Sequence, residues 1–182
     1  MAQTQSRSFS VKDLVYIAVC AALITVCSWI TIPLTVPFTM QTFAVFLTVS
    51  LLGGKRGTLA ILVYVLMAAV GLPVLSGFKG GIGALLGTTG GYVLGFIASA
   101  LIMWLFEKYA GKSKWITALS MLIGLIACYA LGTAWFMIVY TRSNGAVTLA
   151  ATLGWCVIPF IIPDLCKIAL ALFLRNRLIR YI

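Results

Sequence analysis

Asp164 and Lys167 stand three residues apart inside the last long apolar run, in Ile158-Pro159-Phe160-Ile161-Ile162-Pro163-Asp164-Leu165-Cys166-Lys167. On a helix that spacing separates the two side chains by about 60° around the axis, so they can neutralise each other and address one bound molecule together. A carboxylate accepts N–H groups and an ammonium donates to a carbonyl, and such charge-assisted bonds are about twice as strong as neutral ones. A charge near the middle of a bilayer costs roughly 2.5–3.5 kcal/mol, which is why such residues usually face a protein interior or a ligand. The pair therefore reads either as a structural ion pair between helices or as the polar centre of a binding site. Pro159 and Pro163 keep a regular helix from running straight through this stretch, because each lacks an N–H and crowds the preceding turn. Irregular backbone at that depth is tolerated only when it is buried in protein or lines a cavity.

Composition sets the surroundings. Of the 182 residues 63% are hydrophobic and 9% charged, with a mean hydropathy of +1.14. Soluble domains carry nearer a quarter charged residues. The sequence thus predicts an all-α integral membrane protein, since its long apolar runs contain Gly and Pro and do not alternate every second residue as a barrel strand would. Histidine is absent, which removes the commonest metal ligand and the usual general base. No catalytic or metal-binding constellation and no cofactor are expected. Cys20, Cys27, Cys128, Cys156 and Cys166 are scattered singly and read as small buried side chains, without a disulfide framework.

Six spans are expected, at about 12–31, 38–52, 58–71, 90–107, 115–140 and 149–174, in one membrane domain behind a short cytoplasmic tail (1–11) that lacks the features of a signal peptide. Two outer loops are distinctive. The first, from Ile32 to Thr42, holds two prolines and no charge, and reads as ordered. The second, from Gly71 to Gly95, holds nine of the 17 glycines and reads as a re-entrant or lid-like loop. It meets neither the dinucleotide nor the P-loop pattern.

The +10 formal charge fixes an orientation. With the N-terminus inside, Arg7, Lys12, Lys55, Arg56, Lys108, Lys112, Lys114, Arg175, Arg177 and Arg180 are cytoplasmic, ten of the 13 Lys and Arg, while Lys79 and Arg142 are outside. Nucleic-acid binding is a poor second explanation of the excess. Counted back from Arg175, Lys167 lies about 12 Å and Asp164 about 16 Å from the cytoplasmic end. The charged pair and both outer loops converge on an outward-facing pocket.

These residues resemble the BioY family, the biotin-specific substrate-binding (S) component of energy-coupling factor (ECF) transporters. The resemblance covers most of 12–175 and rests on Val36-Pro37-Phe38-Thr39-Met40-Gln41-Thr42, Gly71-Leu72-Pro73-Val74, Gly81-Ile82-Gly83, Thr89-Gly90-Gly91-Tyr92, Gly132-Thr133-Ala134-Trp135 and Pro163-Asp164-Leu165-Cys166-Lys167. It departs at Thr88, where the family has Pro, and at Pro163, where Gly often stands. The resemblance implies a six-helix subunit of a prokaryotic cell membrane that captures biotin from outside and has no catalysis of its own. It also implies partners: a transmembrane coupling subunit and two cytoplasmic ATPase subunits. Docking through an A-x-x-x-A pattern would fall on Ala18 and Ala22, a spacing that packing within the chain also explains. For biotin, Asp164 would accept a ureido N–H and Lys167 would donate to the ureido carbonyl. Phe38, Tyr92, Trp135 and Trp155 are candidate walls, with interfacial anchoring as the other reading of both tryptophans. Gln41, Thr89 and Gly90 would add hydrogen bonds from the loops, and Lys79 is either a solvated lysine or the partner of the carboxylate tail. Two alternatives remain at this stage, an intramembrane enzyme using Asp164 as a base and an S component for another small vitamin or precursor such as dethiobiotin.

Overall fold

The computed structural model describes residues 10–181, so residues 1–9 of the short tail, Arg7 among them, lie outside the described residues. The chain is almost wholly helical. Helix α1 (Val11–Trp29) is followed by a two-stranded hairpin of β1 (Thr31–Ile32) and β2 (Phe38–Thr39), then α2 (Gln41–Leu52) and α3 (Gly54–Ala69). A turn over Ser76–Phe78 and the four-residue α4 (Ile82–Leu85) lead to α5 (Gly90–Ala110) and the 31-residue α6 (Lys114–Asn144). The last run is two helices, α7 (Leu149–Cys156) and α8 (Ile161–Leu178), separated by a tight turn at Ile158–Phe160.

Local chemistry accounts for the boundaries. Ser10 and Asp13 form a reciprocal capping box at the start of α1, and Asp13 also pairs with Arg56 at 3.0 Å, tying α1 to α3. Gly53 alone separates α2 from α3, with φ at +78°, a left-handed conformation that costs a residue with a side chain. In the hairpin Thr31 faces Thr39 and Ile32 faces Phe38. Pro33 and Pro37 have no N–H to extend that ladder, which explains why the Pro-rich segment is ordered yet short. The polar segment Thr141–Asn144, beyond the fifth span expected at 115–140, continues α6, and the chain turns at Gly145.

Helix α2 is central: from Phe43 to Val49 every residue is buried, which suits a helix that is apolar all round. It packs on α1, α3, α5 and α8, while α5 and α6 form the most extensive helix pair. Leu14, Val19, Leu105, Ile126, Ile138, Ile162 and Phe173 remain exposed around the outside of this bundle. An apolar girdle of that kind is a lipid-facing surface. Four segments are long and apolar enough to cross a membrane: Val11–Trp29, Gly90–Ala110, Lys114–Asn144 and the broken run Leu149–Tyr181. Helices α2 and α3 are shorter, with 12 and 16 residues.

The two ends of the bundle differ. At one, the start of α1, the α2–α3 turn, the α5–α6 turn and the end of α8 meet. There Lys112 pairs with Glu107 at 2.8 Å, Glu107 accepts the N–H of Gly54, and Arg175 donates to the carbonyls of Ser50 and Lys112. The hairpin, the Gly-rich segment and the α7–α8 break gather at the other end.

Candidate functional site

The α7–α8 break creates the site. Pro163 falls in the first turn of α8, where helix N–H groups have no intrahelical partner in any case, so its missing donor is harmless. Asp164 follows in that same turn, where the positive end of the helix dipole favours a carboxylate. Asp164, Lys167, Ile168, Ala171 and Arg175 form the buried stripe of α8, at helical spacing. The faces between them carry Leu165 and Cys166 outward, so Cys166, expected to be buried, is exposed, while the other four cysteines are buried.

Asp164 and Lys167 are 3% and 5% exposed, and Lys167 Nζ lies 2.7 Å from Asp164 Oδ1. Lys167 Nζ also donates to the Thr39 carbonyl at 2.6 Å and to Thr42 Oγ1 at 3.2 Å, and it sits 4.0 Å from the centre of the Phe38 ring. Its three protons are thereby engaged. Asp164 Oδ1 accepts in addition from Thr42 Oγ1 at 3.2 Å, and Oδ2 from the Tyr129 hydroxyl at 2.6 Å. Two acceptor positions stay open, one lone pair on Asp164 Oδ2 and one on the Tyr129 oxygen.

Both groups line a cavity with about 680 Å³ of empty space, the open solvent at its mouth included. The hairpin loop contributes Val36, Pro37 and Thr39, α2 contributes Gln41 and Thr42, and the Gly-rich segment Leu75, Ser76 and Thr89. Tyr92, Val93 and Phe96 of α5, Cys128 and Tyr129 of α6, and Cys156 and Phe160 complete a largely apolar wall. Gln41 Nε2 donates to the Tyr64 hydroxyl at 2.6 Å, which donates to the Val74 carbonyl at 3.0 Å, and Ser28 Oγ reaches the same carbonyl at 2.5 Å. This chain fixes the Gly-rich segment to α1, α2 and α3. It leaves Gln41 with a second amide proton and an acceptor oxygen at the cavity.

Of the residues singled out from sequence, Asp164, Lys167, Gln41, Thr89 and Tyr92 line this one cavity. Phe38 stands behind the ammonium and stacks on Phe160 with ring centres 6.1 Å apart. Gly90 lies beneath the Leu85 carbonyl, where a Cβ would have no room. Trp135 backs α5 at Gly91 and donates Nε1–H to the Gly87 carbonyl at 2.9 Å, holding the Gly-rich segment without forming the wall. Trp155 is partly exposed and packs on Tyr140. Lys79 is exposed on the outer turn and does not line the cavity; its backbone pairs with Leu75. Ala18 and Ala22 are exposed on α1, flanking the buried stripe of Ile17, Ala21 and Ile24.

Sequence reasoning missed Tyr129 and gave Thr42 no role of its own. Tyr129 carries a polar tip in the middle of an apolar helix, and that tip had to find a partner. Among the described residues there is no cluster of three or more His, Cys, Asp or Glu that would hold a metal.

A sequence model of the BioY family matches residues 2–182. The chain is 41% identical over 168 residues to the "Biotin transporter BioY" of Thermotoga maritima, covering 92% of this chain and 95% of that one. It is 37% identical over 168 residues to the "Probable biotin transporter BioY" of Pyrococcus horikoshii, covering 92% and 96%. The fold matches a crystal structure of the S-component for biotin from an ECF-type ABC transporter, with a TM-score of 0.81, 28% identity, and coverage of 98% of this chain and 94% of that one.

Proposed function

The chain belongs to the BioY family, and we propose that it is the high-affinity biotin-binding S component of an ECF importer, a transport subunit and not an enzyme. The observation that carries the assignment of the site is the buried Asp164–Lys167 pair at the wall of the 680 Å³ cavity. A structural ion pair would be closed in on itself. This one keeps an acceptor position on Asp164 Oδ2 and another on its neighbour Tyr129, both toward empty space.

Biotin's ureido ring carries a carbonyl flanked by two N–H donors that diverge from it. Asp164 Oδ2 accepts one of those protons, oriented by the Tyr129 hydroxyl 2.6 Å away. The second amide proton of Gln41 and the ammonium of Lys167 are the donors for the carbonyl, the latter exchanging its bond to Thr42. Tyr92, Val93, Phe96 and Phe160 cover the fused rings, and Thr89 and Ser76 stand at the mouth. Lys79 is outside the cavity, so any contact with the carboxylate tail requires movement of the outer turn.

The membrane disposition follows from charge. Six crossings are assigned to α1, α2, α3, α5, α6 and the α7–α8 pair in one membrane domain, with the hairpin and α4 completing the short second and third crossings. Nine described cations, from Lys12 to Arg180, stand at the end opposite the cavity, which favours both termini in the cytoplasm and the cavity facing outward. Delivery inward then needs a coupling subunit and two ATPase subunits, and the exposed small residues Ala18 and Ala22 are the docking stripe for the coupling subunit.

Equilibrium binding of labelled biotin to the detergent-purified protein, beside a folded Asp164→Asn variant, tests the assignment. Stoichiometric binding lost in the variant supports it. A folded parent that binds no biotin overturns it, and competition with dethiobiotin shows whether the thioether ring is required.

A further inference from the structure

The charged end of the bundle contains a second cavity, of about 760 Å³, bounded by the end of α2, the α5–α6 turn, the start of α6 and the end of α8. Arg175 lines it and is only 7% exposed. Its Nε donates to the Ser50 carbonyl at 3.2 Å and its Nη2 to the Lys112 carbonyl at 3.1 Å, two of the five N–H groups of a guanidinium. Among the described residues it forms no ion pair, since the three found are Arg56–Asp13, Lys112–Glu107 and Lys167–Asp164. Glu107, on the same wall, is the carboxylate whose charge reaches Arg175, against the three cations Arg56, Lys112 and Arg175, so the cavity keeps an excess of positive charge.

The surroundings favour an anion. Arg56 and Lys112 lie on the same cavity wall. Helix α6 begins behind Ser113 with no side chain capping its N-terminus, and Ile116, Thr117 and Ser120 from its first two turns line the cavity. The carboxylate present, Glu107, is already engaged by the Lys112 ammonium and the N–H of Gly54. We propose that this cavity binds a phosphate group, with Arg175 as the buried anchor and Lys112 at the rim. Planar N–H donors on guanidinium match phosphate oxygens. The group arrives either on an anionic lipid headgroup entering between helix ends or as free phosphate from the aqueous side.

The full-length protein in detergent is titrated with phosphatidylglycerol or phosphatidylcholine in mixed micelles, and separately with inorganic phosphate against chloride at equal ionic strength. Retained adducts are counted by native mass spectrometry. A preference for phosphatidylglycerol, or retention of phosphate itself, supports the site and identifies the source; neither of these overturns it. One basic residue near an anionic surface contributes about 1 kcal/mol, so Lys112→Gln is expected to weaken the preferred anion about fivefold while biotin binding stays intact. Arg175→Lys, which keeps the charge but loses the planar donors, is expected to weaken it too. Arg177→Gln removes the same charge from the exposed side of α8 and is expected to change little. Equal losses in Lys112→Gln and Arg177→Gln would reduce the effect to diffuse surface charge and sink the proposal.

Discussion

The Tyr129 hydroxyl donates to Asp164 Oδ2 at 2.6 Å, linking the middle of α6 to the first turn of α8. Thr42 and Lys167 hold the other carboxylate oxygen, so Asp164 is fixed from three helices while still lining the cavity. A carboxylate so held presents one remaining acceptor direction to a ligand and does not have to be ordered when the ligand arrives.

Replacing Tyr129 with Phe removes a bond to a charged group, an interaction of roughly 1.5–3 kcal/mol. Biotin affinity is expected to fall about tenfold or more, because the bond that orients Asp164 is lost. Calorimetric titration of the purified variant checks this, and an unchanged dissociation constant would show that Tyr129 merely fills space.

Asp164→Asn and Lys167→Met each strand a buried charge, and breaking such a pair from one side typically costs 3–5 kcal/mol. Combining the two changes removes both charges. The double variant is therefore expected to unfold at a higher temperature than Lys167→Met alone, yet to bind no biotin. Thermal unfolding and binding measured on the same samples separate the two roles of the pair; a double variant less stable than both singles would argue against mutual neutralisation.

The sequence exposed the ends of this argument better than its middle. Two prolines beside an intramembrane Asp and Lys were enough to mark the α7–α8 break, because both features break local rules of an apolar helix. Gln41, Thr89 and Tyr92 followed from loop motifs and do line the cavity. Tyr129 was hidden because its partner lies 35 positions away, and a tyrosine in an apolar run is compatible with any packing. Trp135 misled for the related reason that composition cannot tell a wall residue from one that braces a loop, as its bond to Gly87 does. The Gly-rich segment read as loop up to the fourth span expected at 90–107, and Gly90, Gly91 and Gly95 do start α5, where α6 comes too close for a Cβ at Gly91 and Gly95.

That close approach predicts a contrast between two glycines. A Cβ on Gly132 would run into the Tyr92 ring, which is itself cavity wall, whereas a Cβ on Gly154 in α7 would meet no atom within 4 Å. Gly132→Ala is expected to destabilise by about 1–3 kcal/mol through overpacking and to weaken biotin binding by displacing Tyr92. Gly154→Ala is expected to be neutral or to stabilise by up to about 1 kcal/mol, since alanine is the better helix former. Unfolding midpoints of the two variants, with biotin titrations, test the pair.

The first helix allows binding to be separated from assembly. Ala18 and Ala22 are exposed on α1, and none of the residues lining the Asp164 cavity comes from that helix. Lipid tolerates a larger apolar side chain there, so Ala18→Leu with Ala22→Leu is expected to leave biotin affinity within about twofold of the parent. A coupling subunit that relies on close backbone approach would lose that contact, and a tenfold weaker complex corresponds to roughly 1.4 kcal/mol. Co-purification with the coupling and ATPase subunits, beside biotin titration of the same variant, reads the two effects independently. Lost assembly with retained binding places the docking stripe on α1, while retained assembly assigns these alanines to lipid contact alone.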